Sequence, residues 1–424
     1  MKNQDLPIDF NHSAYRELNS DLTSFSDAEL TRHYLLHGVY EGRPYRKILH
    51  NFSFDPVKHG GVNVLGFINN IMGLSATGRM IAQSVLDSGI PCNINQFPIH
   101  EKTHFFMETT QECQYSVNII CINPDIGYLR IDPRFFSNRR NIALVFWELE
   151  KLPQNWIDSL SGFDEIWVGS SFNEAIIRRH LPGKEIVCLP LKAQETEIMD
   201  QKTCKESLGI DPETFVCLFI FDGRSDLQRK NPQAVIRAFR QAFRADENCR
   251  LVIKTHHCTN TEIDLMLYES GNDKRINIWN EEIPPTVHNV LLNSCDLYIS
   301  LHRSEGLGLT MMEALLLGKP VICTAYSGNL DFCHETWTSL VQYELTNIPA
   351  DSLYAKLAEG GNVWADPDPS DAASKIREVY SNLDIYRSKA AVGKKWIEEM
   401  YSSKKLDEII SGRLEKYLSS VINN

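Results

Sequence analysis

Two kinds of apolar pattern alternate along this chain, short continuous runs and stretches with three-to-four-residue spacing, and from about residue 60 they predict strand, helix, strand in succession. Val62 to Ile68 is an apolar run, Gly73-Leu-Ser-Ala-Thr-Gly78 reads as a glycine turn, and Arg79 to Asp87 has helical spacing. Runs at Cys92 to Phe97, Ser116 to Ile122, Asn141 to Trp147, Glu165 to Val168 and Glu185 to Leu189 predict further strands. Helices are expected between several of them, at Asn155 to Leu160 and Ser171 to His180. Pro190 to Thr203 has no period and reads as a linker.

A second series follows. Strands are expected at Phe215 to Phe221, Cys249 to Lys254, Ile276 to Ile278, Leu297 to Leu301 and Pro320 to Thr324. Helices are expected at Pro232 to Phe243, Glu262 to Glu269, Pro285 to Asn293 and Leu309 to Leu317. Helix Ser370 to Ser381 and a broken helix from Asp384 to Val421 close the chain. Such alternation implies an α/β fold of two parallel, doubly wound sheets, with a ligand cleft where the carboxyl ends of their strands face each other. Residues 1 to 50 stand apart as a helical extension, with helical stretches at His12 to Asn19 and Ser26 to His37. The expected division is residues 1–50, 51–195, 196–395 and a closing helix over 396–424.

Length and charge sharpen this picture. At 424 residues the chain holds two ordinary domains and an appendage. A net charge of -12 argues against a nucleic-acid partner, since phosphate backbones are held by clustered Lys and Arg. The start, Met-Lys-Asn-Gln-Asp-Leu-Pro, has no apolar segment of signal-peptide length, and no run approaches the length of a membrane span, so a cytoplasmic location is expected. The 11 cysteines are scattered singly, several within apolar runs, and are expected to be buried reduced thiols rather than metal ligands.

The chemistry concentrates in Ser300-Leu-His-Arg-Ser-Glu-Gly-Leu-Gly-Leu-Thr-Met-Met-Glu313. An apolar run ends in a glycine-bearing turn, and a helix begins at Leu309. The positive end of that helix, with its unpaired N–H groups, favours a diphosphate, and Gly306 and Gly308 allow close backbone approach. Glu305 before the helix and Glu313 within it can accept hydrogen bonds from sugar and ribose hydroxyls. The same arrangement also fits any strand-helix unit of an α/β protein.

The pair resembles the E-x7-E signature of retaining glycosyltransferases of family 4, which have the GT-B fold and belong to the glycosyltransferase group 1 type. The resemblance covers about residues 60 to 410 and is strongest over 215 to 335. It implies that Glu305 contacts donor hexose hydroxyls, that Glu313 contacts the ribose, and that Gly306, Leu307, Gly308, Leu309 and Thr310 wrap the diphosphate. It further implies a front-face displacement without a protein nucleophile or a required metal, and no cofactor beyond the nucleotide-sugar donor. The expected donor is UDP-glucose, with GDP-mannose next. The expected acceptor is a hydroxyl of a growing glycan or lipid-linked glycan, in exopolysaccharide or lipid-linked glycan assembly at the cytoplasmic membrane face. A sugar-nucleotide epimerase of the same fold and a donor-binding scaffold without turnover are the rival readings.

Other segments add candidates. In Phe221-Asp-Gly-Arg224-Ser-Asp-Leu-Gln-Arg229-Lys230-Asn-Pro, at a strand's carboxyl end, the resemblance assigns Arg224 and Lys230 to charge developing on the leaving diphosphate, a role suited to an Arg fork and a Lys point charge. Arg229 and Lys230 also fit a surface turn at a helix start. The Gly73 to Gly78 segment resembles the family's first-domain glycine loop, where Gly73 would approach the donor; it departs from a common form of that loop near Ala76, and an ordinary turn explains it equally. Glu148, in Phe146-Trp-Glu-Leu-Glu150, and Asn123 end strands of the first series and are candidate acceptor contacts, with Asp125 of similar standing; a salt-bridged loop serves as well for Glu148. His302 either reaches the sugar or hydrogen-bonds its own loop. Asp366-Pro-Asp368 has the spacing of a metal motif but sits at a helix start, and no metal is assigned to it. Residues 1–50 resemble a small helical module found beside polysaccharide-processing enzymes, suited to packing, protein docking or peripheral membrane contact.

Overall fold

The computed structural model describes residues 10, 12–38, 43, 52–54, 57–70, 72–97, 107–124, 131–193, 196–350, 352–357 and 361–418. Strands β1 (Lys58–Gly66), β2 (Cys92–Gln96), β3 (Tyr115–Cys121), β4 (Arg140–Val145), β5 (Glu165–Val168) and β6 (Glu185–Cys188) form a parallel sheet ordered β2-β1-β3-β4-β5-β6. A second parallel sheet, ordered β12-β11-β10-β7-β8-β9, is built from β7 (Phe215–Ile220), β8 (Cys249–Thr255), β9 (Ile276–Asn280), β10 (Leu297–Ser300), β11 (Val321–Thr324) and β12 (Ser339–Val341). The central strands read as unbroken apolar runs because helices cover both faces; β7 and β10 are buried throughout. Each sheet reverses its winding at one place, between β1 and β3 in the first and between β7 and β10 in the second. Loops leaving adjacent strands in opposite directions open a crevice there.

One expectation is corrected. Gly73-Leu-Ser-Ala-Thr-Gly78 is no turn but the opening of the helix Gly73–Asp87. The amide of Ala76 bonds the carbonyl of Met72 at 3.1 Å, and Thr77 turns its hydroxyl onto Leu74 O at 3.0 Å. Leu, Ser, Ala and Thr between the glycines tolerate helix, and packing decides for it: Ser75, Thr77, Gly78, Ile81 and Ala82 are buried. At the other end of the chain the broken helix expected from Asp384 is two helices, Leu383–Met400 and Ser403–Leu418, parted at Tyr401; Val421 lies outside the described residues. The first packs on the helix Leu309–Leu316 of the second sheet. The last packs on Gly73–Asp87 of the first sheet, where Arg413 holds Glu165 at 2.9 Å and Glu185 at 2.7 Å and Tyr417 bonds Glu165 at 2.6 Å.

Several elements carry no clear sequence signal. An antiparallel hairpin, β13 (Tyr343–Asn347) with β14 (Val363–Pro367), and the short helix Leu353–Leu357 project beside the second sheet. In the extension, helices His12–Leu18 and Asp27–His33 enclose a cluster of Tyr15, Leu22, Leu30 and Tyr34, and a Ser26–Glu29 capping box starts the second helix. No helix among the described residues is long and apolar enough to cross a membrane.

Candidate active site

The loops leaving β7 and β10 meet at the switch point of the second sheet. After β7 the chain makes a left-handed turn at Asp226, a single helical turn over Leu227–Lys230, and a second left-handed residue, Asn231, before Pro232 starts the next helix. Asp226 caps the first turn through the amide of Gln228 at 2.8 Å, and Asn231 ties the loop to β10 by donating to Leu301 O at 3.0 Å. These anchors turn Arg229 and Lys230 inward.

There they meet Glu305. Lys230 Nζ donates to Glu305 Oε1, Arg229 Nη1 lies 3.3 Å from Oε2, and the same nitrogen donates to Ser304 O at 2.8 Å. Arg229 is 3% exposed, as a charge can be only when compensated on several sides. Tyr354, from the short helix Leu353–Leu357, lies beneath its guanidinium at 5.4 Å. Burial alone would raise the Glu305 carboxyl; Lys230 and Arg229 outweigh it and hold the group at about 2, so it is ionised at neutral pH. Burial pushes Lys230 below its ordinary value despite Glu305, while Tyr354, Glu305 and Glu148 offset burial and hold Arg229 firmly charged.

Two glycines set the loop's shape. Gly308 has φ +93°, a backbone conformation that strains other residues, and it leads into the helix Leu309–Leu316. Gly328 lies against the loop so closely that a side-chain carbon there would stand 2.1 Å from Gly306 O. Its amide bonds Glu305 O at 2.9 Å, and the amide of Glu305 donates to Ser327 Oγ at 2.8 Å. Leu307 is buried, which anchors the turn. The first N–H groups of the following helix, including Leu309 and Thr310, lack intrahelical partners by geometry. Glu313, one helical turn on, lies 3.2 Å from Nε2 of His288. His302 is fully buried: Ser300 Oγ stands 3.0 Å from Nδ1 and Asn329 Oδ1 3.1 Å from Nε2, and burial lowers its proton affinity, so the imidazole is neutral and braces the loop from below.

The opposite wall is built from the first sheet. Ser170 Oγ donates to Gly306 O at 2.6 Å, Ser304 Oγ to Glu148 O, and Tyr354 OH to Glu148 Oε2 at 3.1 Å. Glu148 Oε1 is 4.0 Å from Arg229 Nη2. Burial raises the Glu148 carboxyl, Arg229 opposes the rise, and Glu305 adds to it. Asn123 is spent on the backbone: its amide donates to Phe146 O at 3.0 Å and accepts from Phe146 N at 3.1 Å. Asn173 treats the next residue the same way, bonding both Trp147 N and Trp147 O. Gly73 opens the facing helix, and Asp125 lies outside the described residues.

The structure thus brings Glu305, Lys230 and Glu148 together with Arg229, and sets Arg224 on a different partner. Arg224 grips Asp222, Nε at 3.2 Å from each oxygen and Nη2 at 2.7 Å from Oδ2, and lines a cavity of about 620 Å3 shared with Arg237, Tyr268 and Arg303. Arg-Lys before Asn-Pro was the available signal for Arg229. Tyr354 carried none, since it stands in no motif; Ser304 lies beside Glu305 in the glycine-bearing stretch, but nothing local marks its hydroxyl. Asp366 pairs with Arg303 at 2.9 Å and Asp368 caps the helix Pro369–Ser381 through Ser370 N at 2.8 Å, so each has a structural occupation.

Comparison with known proteins bears on the fold and on the second sheet. Residues 200–341 match the family model described as glycosyl transferases group 1, a region that runs through β12 and includes Arg229, Lys230, Glu305 and Glu313. Sucrose-phosphate synthase from Thermosynechococcus elongatus superposes with a TM-score of 0.65 over 85% of this chain and 99% of its own, at 12% identity. HepE of Anabaena, seen with UDP and glucose, has a TM-score of 0.60 over 84% of this chain and 100% of its own, also at 12% identity. WaaG, a glycosyltransferase involved in lipopolysaccharide biosynthesis, has a TM-score of 0.57 over 83% and 100% at 13% identity. The fold is therefore GT-B, two doubly wound domains facing across a cleft. No curated protein sequence matches the chain.

Proposed function

We propose that this protein is a retaining glycosyltransferase that moves a hexose from a nucleotide diphosphate, UDP-glucose foremost, to a hydroxyl of a glycan or lipid-linked glycan. The observation that carries the reading is the compensated ion cluster of Glu305, Lys230 and Arg229, set beside a helix N-terminus at the switch point of the second sheet. A diphosphate placed there meets free amides and two cations, while an ionised Glu305 accepts from hexose hydroxyls. As the glycosidic bond breaks, negative charge grows on the leaving phosphate, and Lys230 and Arg229 oppose it without rearranging. Glu313 serves the ribose, and Glu148 faces the acceptor side. The same phosphate takes the acceptor's proton, so the reading requires neither a metal nor a protein nucleophile. Complexes of HepE with UDP and glucose and with UDP-glucose support the choice of donor. A cytoplasmic location, at the inner face of the membrane where lipid-linked acceptors are built, goes with this reading.

The test is a thermal-shift panel of nucleotide sugars followed by product analysis. A donor at about 100 times its dissociation constant stabilises by about 2.7 kcal/mol. UDP-glucose is expected to lead the panel and to yield an α-linked product when an acceptor is supplied. Conversion of the donor to its epimer, without transfer or hydrolysis, would overturn the proposal, and so would silence across the whole panel.

A further inference from the structure

A second concentration of ligating atoms lies at the carboxyl ends of β7, β8 and β9, where Asp222, the pair His256-His257, and Glu282 follow the three strands. Nε2 of His256 is 3.4 Å from Asp222 Oδ2, and Nδ1 of His257 is 3.5 Å from Asp222 Oδ1. The ligand atoms of these three residues all fall within 4.8 Å of one another. On the far side of the same ring, Glu282 Oε1 is 3.1 Å from His257 Nε2.

These spacings have a chemical meaning. Bonds of about 2.0–2.1 Å from a tetrahedral zinc to nitrogen and oxygen separate the ligand atoms by about 3.4 Å. Each histidine stands close to that distance from one of the two Asp222 oxygens, so a small turn of the carboxylate brings one oxygen into range of both. His256 Nε2 is buried and faces only the Asp222 carboxylate, at a distance and angle that do not make a well-formed hydrogen bond. His257 holds φ +60°, a left-handed conformation that costs energy for a side-chain-bearing residue, and the imidazoles of the two neighbours stand 4.6 Å apart, centre to centre. Arg224 already grips Asp222, but a carboxylate has about four lone-pair directions, so one oxygen can ligate while the guanidinium fixes the group's orientation.

We propose that Asp222, His256 and His257 form a binding site for one divalent transition-metal ion of the zinc class, with Glu282 holding the far nitrogen of the His257 ring. Two imidazoles exclude the hard, all-oxygen chemistry of Mg2+ and Ca2+ and suit Zn2+, Co2+ or Ni2+. The ion braces the ends of β7 and β8 against each other, while Glu282, from the segment after β9, orients the His257 ring from its far nitrogen. That segment is already pinned by Asn280, which accepts from Cys258 N at 3.1 Å and donates to Cys258 O at 2.8 Å. The ion takes no part in hexosyl transfer and does not depend on that reading.

The experiment uses the full chain, stripped with a chelator and dialysed. Zn2+ is titrated calorimetrically, and Co2+ is titrated by its visible absorption. The expected result is one ion per chain, intense tetrahedral Co2+ bands, and a rise in Tm with Zn2+ but not with Mg2+. His256→Asn and His257→Asn are each expected to weaken binding at least about 10-fold, as losing a ligand costs no less than losing the groups that orient it. His257 is the more exposed of the pair, so its variant is expected to fold, and matching unfolding curves of metal-free wild type and variant check this. Zn2+ bound equally by wild type and both variants overturns the site, as do the absence of Zn2+ binding and a preference for Mg2+. None of these results depends on a nucleotide sugar, so failure here and failure of the transferase reading are separate outcomes.

Discussion

The two walls of the cleft solve the same problem with different chemistry. At the switch point of the second sheet the loops are held by charge, with Glu305 between Lys230 and Arg229 and Tyr354 under the guanidinium. At the corresponding edge of the first sheet they are held by side-chain amides: Asn123 clamps Phe146, Asn173 clamps Trp147, and Gln96 ties Asn69 and Asn70. A neutral amide satisfies backbone groups at little desolvation cost but offers no charge to a ligand. The charged wall costs more to bury and is stable only because each ion has its partner. In exchange it presents preorganised charge where a diphosphate would leave. Among the described residues, Glu148 is the carboxylate that the amide wall contributes to that cluster.

The sharpest way to break this contrast is Glu305→Ala. The buried Arg229 and the half-buried Lys230 would lose their nearest counter-charge, so a stability loss of about 3 kcal/mol is expected in denaturant unfolding. Transfer should be almost abolished; a loss no larger than that of Asn123→Ala would erase the distinction between the walls. Next come Lys230→Met and Arg229→Met, each expected to lower kcat by about 100- to 1,000-fold, as removing one preorganised donor does elsewhere. Arg229→Lys should not rescue, because an ammonium cannot both reach Ser304 O and keep the fork on Glu305.

On the amide wall, Asn123→Ala is expected to cost about 1–3 kcal/mol of stability by orphaning the Phe146 backbone, with donor affinity unchanged by calorimetry. Proton linkage probes the brace beneath the charged wall. The unfolded chain protonates His302 near 6.5 while the buried ring resists, so stability declines as pH falls below about 6.5, by at most about 1.4 kcal/mol per pH unit. His302→Asn should flatten that part of the profile. Glu305 acts in a lower window: its contribution is complete above about 4.5 and disappears as pH falls toward about 2. The smallest effect is expected from Arg224→Ala, less than about threefold in transfer and under about 1 kcal/mol in stability, because that partly exposed side chain is paired with Asp222 outside the Glu305 cluster.

Much of the fold was legible because buried parallel strands leave continuous apolar runs: β7, β8, β10 and β11 lie within a residue or so of where the pattern puts them. The loop from Ser300 to Glu313 was legible for a related reason, since glycines, a carboxylate and a helix start are close neighbours in sequence. The hairpin of β13 and β14 was not, because its half-exposed residues show no long apolar run and its strands are separated by the helix Leu353–Leu357. Gly73 to Gly78 misled because glycines signal turns locally, whereas burial against Ile68 and Cys121 decides for helix.

The sequence by itself determined the alternation of strand and helix, the two series, and the presence of Glu305 and an Arg-Lys pair at the ends of strands. Those features are local, set by periodicity, turn residues and helix capping. Only the tertiary structure decided which arginine stands at Glu305, that Tyr354 lies beneath it, and that Glu148 crosses from the other wall. Arg224 and Arg229 are five residues apart and alike in composition. The left-handed turns at Asp226 and Asn231 send Arg229 inward to a buried carboxylate, while Arg224 stays on Asp222. A buried charge goes where its counter-charge is, and the chain segments that supply those partners lie far off in sequence, at Glu305 and at Glu148.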